Sequence, residues 1–161
     1  LKIALGADHG GFELKEILKK YINLELGYEV SDLGCYSTAS VDYPDLAFLV
    51  ACSVSNGSCD YGIMVDGAGI GSCMVCNRVP NVRAAFCHDL STVMNSREHN
   101  HANVLTLGGQ TLGSGLAKVM VKTWLETPWG EGRHKMRVDK IMAVEEQFFS
   151  AAARLGQRQG R

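Results

Sequence analysis

The sequence predicts a three-layer α/β/α sandwich, a Rossmann-like fold built on one five-stranded parallel sheet. Three observations lead there. Five short apolar runs alternate with stretches of helical periodicity, the pattern of repeated β–α units. The first, third and fifth runs open into glycine-bearing loops, Asp8-His9-Gly10-Gly11, Asp66–Gly71 and Gly108-Gly109. A chain of 161 residues suits one domain with a substantial core.

Lys2–Ala7 reads as a buried strand. Leu14, Ile17, Leu18, Tyr21 and Ile22 then fall on one helical face, and Gly27 stops that helix. Tyr28–Ser31 is a second short strand, and residues 35–44 form a polar loop closing on Val41-Asp42-Tyr43-Pro44. Asp45 is placed to cap a helix through Val54, and Asn56-Gly57 turns the chain into the central strand, whose apolar run is Ile63–Val65. After the glycine loop, a helix follows with Ser72 as its expected cap. Val79-Pro80-Asn81 leads to a fourth strand, Val82–Phe86, and Asp89–Glu98 is helical. The fifth strand is Val104–Leu107. A helix spans Ser114–Glu126, Pro128 breaks it, and a last helix starts at Arg133. The domain is expected to end near residue 149, with 150–161 a basic tail that extends the helix and then frays.

Net charge is −1, which leaves no electrostatic footprint for nucleic acid or an anionic membrane. No apolar stretch spans a bilayer and no signal peptide is visible. Six cysteines lack the spacing of a disulfide scaffold, and Cys73-x-x-Cys76 has no second pair, so buried reduced thiols in a cytoplasmic protein are expected, with no metal.

The stretch Tyr61–Asn77 carries the most chemistry. Strand, glycine loop and helix present backbone N–H groups to an anion or a developing oxyanion, and the acid at the strand end, Asp66, is out of place for packing alone. In doubly wound sheets the ligand sits where strand order reverses, between strands one and three, which sets Asp8-His9 beside Asp66–Gly71. A dinucleotide reading of Gly67-x-Gly69-x-Gly71, with Asp89 as ribose acid, fails on two counts: the third glycine is one residue early and the loop follows the third strand rather than the first. A phosphate reading fares better. Arg133 and Arg137 share a helical face behind Gly130-Glu-Gly132, and His9 adds a donor. His99–Asn103 precedes its strand and so lies at the opposite end of the sheet; if it is catalytic, a second subunit must supply it.

Five blocks in order carry a family resemblance: Gly-Ala-Asp8-His9-Gly-Gly-Phe, Val-Asp42-Tyr43-Pro44-Asp, the 66–71 loop, Ser96-Arg-Glu-His99-Asn100-x-Ala-Asn103-Val-Leu and Gly-Arg133-His-x-x-Arg137-Val. Over residues 2–149 the chain resembles ribose-5-phosphate isomerase B and the galactose-6-phosphate isomerase subunits. The resemblance implies aldose–ketose interconversion through an enediol, without cofactor or metal, in a homodimer or dimer of dimers. It makes His9, Arg133 and Arg137 phosphate ligands, with Asp8 and His99 acting in ring opening. It sets Tyr43 against the sugar, and gives Asn100 and the N–H groups of Gly67, Gly69, Ile70 and Gly71 to the enediolate.

The departure is at the base. One branch of the family has cysteine at position 66 and threonine at 68, another glutamate at 72; this chain has Asp66, Ala68 and Ser72. Asp66 followed by Gly-Ser-x-Met-Val is similar to the A-type galactose-6-phosphate isomerase subunit, which works with an unlike partner. Asp66 is expected either to move the proton itself or to cap the glycine loop. The rival is a catalytically weak sugar-phosphate-binding subunit or sensor. His88 and His101 read as surface or interface groups, and His134 as peripheral or structural.

Overall fold

A computed structural model describes the backbone of residues 1–159 and the side chains up to residue 148. The strands are β1 (Lys2–Ala7), β2 (Glu29–Asp32), β3 (Tyr61–Asp66), β4 (Ala84–Phe86) and β5 (Val104–Gly108). The helices are α1 (Phe12–Lys20, prolonged by a π-helical turn Tyr21–Glu25), α2 (Tyr43–Ser55), α3 (Ile70–Cys76), α4 (Leu90–Glu98), α5 (Ser114–Glu126) and α6 (Arg133–Gln159). All strand pairs are parallel, in the order β2-β1-β3-β5-β4. As expected, β1 and β3 are neighbours, with Ala7 level with Val65. The far side departs from the common doubly wound order: β5 lies against β3, and β4 is the edge. An edge position suits β4, which is only three residues long.

Side chains alternate across the sheet, so each face has its own core. Ile3, Leu5, Ile63, Val65, Leu105 and Leu107 pack with Leu14 and Leu18 of α1 and Met120, Val121 and Trp124 of α5. Ala4, Met64 and Val104 pack on the other face with Ala47, Val50 and Ala51 of α2 and Cys76 of α3. Trp124 is fully buried, and its indole N–H donates to Ser96 Oγ.

Three expected starts move. Helix α2 begins at Tyr43, with Asp42 as its N-cap residue and Pro44 in the first turn, where proline costs no hydrogen bond; Asp45 is already inside. Helix α3 begins at Ile70 behind Gly69, so Ser72 lies within it rather than capping it. Strand β4 starts at Ala84, two residues late, because Asn81 takes a left-handed φ of 63° and Arg83 N–H is bound by Asn103 Oδ1. The last helix runs from Arg133 to Gln159, so the backbone is helical through most of the expected 150–161 tail; residues 160 and 161 lie outside the described residues.

Candidate active site

Loops following β1, β3 and β5 converge at one end of the sheet. Asp8 N–H donates to Val65 O (3.1 Å), Gly109 N–H to Asp66 O (2.7 Å) and Gln110 N–H to Gly67 O (3.0 Å). A Cβ at Gly10 would stand 3.3 Å from both Gly67 Cα and Gln110 Nε2, so the loops touch. Asp8 is buried and accepts from Gly11 N–H at 2.9 Å on Oδ1. His9 is exposed, with Nδ1 held against Val41 (O at 3.2 Å, N at 3.3 Å), which leaves Nε2 for a ligand.

Asp66 is 4% exposed and organises the glycine loop. Its Oδ1 accepts from Ala68 N–H (2.9 Å) and Gly69 N–H; its Oδ2 accepts from Ser72 N–H (3.0 Å) and from Ser72 Oγ. Three loop amides are thus consumed by the carboxylate. Those of Gly67, Ile70 and Gly71 have no partner among the described residues. Gly69 sits at φ 82°, a left-handed conformation that turns the chain into α3, and Thr106 Oγ1 pins its carbonyl at 2.8 Å. Gly71 has a different constraint: a Cβ there would lie 2.5 Å from Tyr43 Cζ and 2.6 Å from its Oη. Tyr43 therefore lies over the start of α3, and Ile70 is half exposed beside it.

The remaining expected residues form a second cluster. His99 ends α4, and its ring stacks on His134 of α6 with centroids 4.2 Å apart and planes within 7°. Arg133 and Arg137 flank His134 one turn apart, both exposed and without a carboxylate partner among the described residues. Asn100 is exposed next to His99. Because β5 runs parallel to β3, with Val104 level with Gly62 and Gly108 level with Asp66, this cluster belongs to the amino end of the sheet. The length of β5, about 13 Å, separates the two ends. One chain therefore brings together Asp8, His9, Tyr43, Asp66 and the 67–71 loop; separately, it brings together His99, Asn100, Arg133 and Arg137.

Residues outside those two clusters take structural roles. His134 is buried, its Nδ1 has no partner, and burial followed by the His99, Arg133 and Arg137 charges holds it below the ordinary imidazole value. Of the two expected roles, peripheral or structural, it takes the structural one, as the stacking partner of His99. His101 is half-buried, lies flat on Trp129 (4.1 Å, 3°) and is likewise held low, by burial and then by Arg83 and Arg97. Asp89, the ribose acid of the dinucleotide reading, caps α4 through Thr92 N–H at 2.7 Å. Cys76 is a core thiol, pushed by burial up to about 12. Two neighbours escaped sequence reasoning. Gln110 lies across the loops at Gly10 and Gly67, and Asn95 binds His99 Nδ1 at 2.8 Å. The i, i+4 spacing of Asn95 and His99 was the available signal.

A carboxylate-pinned loop with free amides, beside a buried acid and a histidine, is a cradle suited to an anion or a developing oxyanion. The chain belongs to the ribose/galactose isomerase family, whose model matches residues 3–141. It is 40% identical over 145 residues to ribose-5-phosphate isomerase B of Escherichia coli, covering 90% of this chain and 97% of the relative. It is 36% identical over 148 residues to D-erythrulose-4-phosphate isomerase of Pectobacterium atrosepticum, covering 91% and 97%. Ribose-5-phosphate isomerase B of Clostridium thermocellum superposes with a TM-score of 0.90 at 43% identity, covering 92% of this chain and 99% of that one. No described helix is long and apolar enough to cross a membrane.

Proposed function

We propose that the chain is an aldose–ketose isomerase of a five- or six-carbon sugar phosphate, with ribose 5-phosphate to ribulose 5-phosphate as its default reaction, and that two copies build each site. The family and its full-length relatives favour this over a catalytically weak partner subunit. The observation that carries it is the set of unpaired amides at Gly67, Ile70 and Gly71, beside Asp8 and His9. An enediolate needs such donors, preorganised and free of water.

In this reading one protomer contributes Asp8, His9, Tyr43 and the 66–71 loop, and its partner the cluster of His99, Asn100, Arg133 and Arg137. The arginines and His9 hold the phosphate; Asp8 and His99 act in ring opening. Asp66 removes the C2 proton of the open aldose. The C–H electrons form C1=C2, and the carbonyl π pair moves to O1, where the free amides and Asn100 meet it. The O2 proton passes to O1, and return of the proton to C1 with formation of C2=O gives the ketose. Of the four bonds Asp66 accepts, only that from the Ser72 hydroxyl can be released by a single side-chain rotation, so Oδ2 is the reactive oxygen. The two-copy arrangement is also supported by α6, which exposes Met136 (63%), Val144 (55%) and Phe148 (75%). A groove of about 570 Å³ runs between that helix and the β4 edge. Coupled assays with ribose, allose and galactose phosphates test the activity and the chain length. Phosphate binding without turnover of any of them would overturn the proposal.

A further inference from the structure

We propose that Asn95 is a positioning residue that fixes His99 as the Nε2–H tautomer, so that the ring faces the sugar as a hydrogen-bond donor. The inference rests on the isomerase reading and deepens it. Asn95 and His99 stand four apart on α4, and Asn95 Nδ2 lies 2.8 Å from His99 Nδ1. The other end of the same amide, Oδ1, accepts from Asn100 Nδ2 at 3.3 Å. With Oδ1 turned to Asn100, the NH2 faces Nδ1, and a donor NH2 there pairs with an unprotonated Nδ1. The ring proton is then on Nε2, which has no partner among the described residues.

The rest of the surroundings fit that role. Asn95 is exposed and takes no part in either core, so its amide is not needed for folding. Asn95 and Asn100 line a hollow of about 410 Å³ along α4. His134 covers one face of the His99 ring, and the stack holds that ring in place while leaving its edge nitrogens uncovered by His134. His134 sits among Arg133, Arg137 and Glu98, and burial followed by the neighbouring positive charges disfavours its protonation, which keeps charge repulsion out of the stack. The start of α6 is tied down by Gly130 N–H donating to Glu98 O (2.9 Å) and by the His101–Trp129 stack. The arginines are thereby indexed to the same ring. A neutral Nε2–H hydrogen-bonds to the ring oxygen as its bond to C1 breaks, while the Asp8 carboxylate takes the O1 proton as C1=O1 forms and passes it to that ring oxygen.

Two variants test this. Asn95→Leu removes the amide; Asn95→Asp replaces it with an acceptor that demands Nδ1–H and turns Nε2 into an acceptor. The His99 tautomer is read by 1H–15N NMR, kcat and KM by steady-state assay, and folding by thermal melt. The wild type is expected to show Nε2–H, and Asn95→Asp to show Nδ1–H. kcat should fall roughly tenfold in Asn95→Leu and further in Asn95→Asp, with KM within twofold and the melt unchanged. A wild-type Nδ1–H, or unchanged kcat in both variants, overturns the proposal. An inactive wild type that still shows the tautomer switch would refute the isomerase reading and leave the positioning intact.

Discussion

Replacing Asp66 with asparagine separates the proton-transfer role from the loop-pinning role. An asparagine can keep its oxygen toward Ala68 and Gly69, but its NH2 then meets Ser72 N–H, donor against donor, where a carboxylate oxygen accepted two bonds. Losing those charge-assisted bonds at a buried site costs about 2–4 kcal/mol. A base deletion lowers kcat by about 10²- to 10⁴-fold. Ser72→Ala serves as the control. It removes one hydroxyl bond, at about 1 kcal/mol, and leaves Oδ2 free for substrate. The assay is incorporation of solvent deuterium at C1 and C2 of the sugar phosphate, read beside a denaturant melt and product binding. Asp66→Asn should remain partly folded, bind product and lose exchange, while Ser72→Ala exchanges within about threefold of wild type. A folded Asp66→Asn protein that exchanges within tenfold of wild type would refute the reasoning and leave Asp66 as a loop anchor alone.

Other consequences are as concrete. Gly71→Ala sets a Cβ 2.5 Å from Tyr43 Cζ, so KM should rise about tenfold with a stability loss of about 1 kcal/mol. Tyr43→Ala in the same chain should cancel the stability loss, and additive melts would contradict the contact. Arg133→Ala and Arg137→Ala should each raise KM by about 10- to 100-fold for the phosphorylated sugar while leaving the melt within about 0.5 kcal/mol, because both side chains are exposed. For pH, the native His101 and His134 are held below their ordinary value by burial first, so the unfolded chain takes up protons sooner. Their contribution is full above about pH 6.5 and is lost as pH falls through the native values. Tm should drop between pH 7 and pH 5, and phenylalanine at both positions should flatten that drop; an unchanged slope would count against burial of these two rings as its cause.

Most of the fold was readable because alternation and helical periodicity are local signals. The neighbouring β1 and β3 followed from them. The placement of β5 between β3 and β4 did not, since strand order beyond the first crossover is settled by which long strand the core needs at its centre, and Val104–Gly108 is buried throughout. The residues of the site were legible as motifs, but their hydrogen-bond partners were not. Ser72 looked like a cap because it follows the glycines, yet Asp66 reaches six residues ahead and does the capping instead. The stacking of His101 and His134 was not legible because a sequence does not show that Trp129 and the start of α6 fold back onto the segment between α4 and β5.

In the proposed dimer each site draws its amide cradle from one copy and its His99–arginine cluster from another. Mixing and co-refolding Asp66→Asn with Arg137→Ala, assayed at substrate below the wild-type KM, where each alone keeps about a tenth of wild-type activity or less, tests this most directly. In the mixed dimer one site carries both defects and the other none, so activity should recover to about a quarter of wild type. No recovery, from mixtures shown to contain mixed dimers, would contradict it.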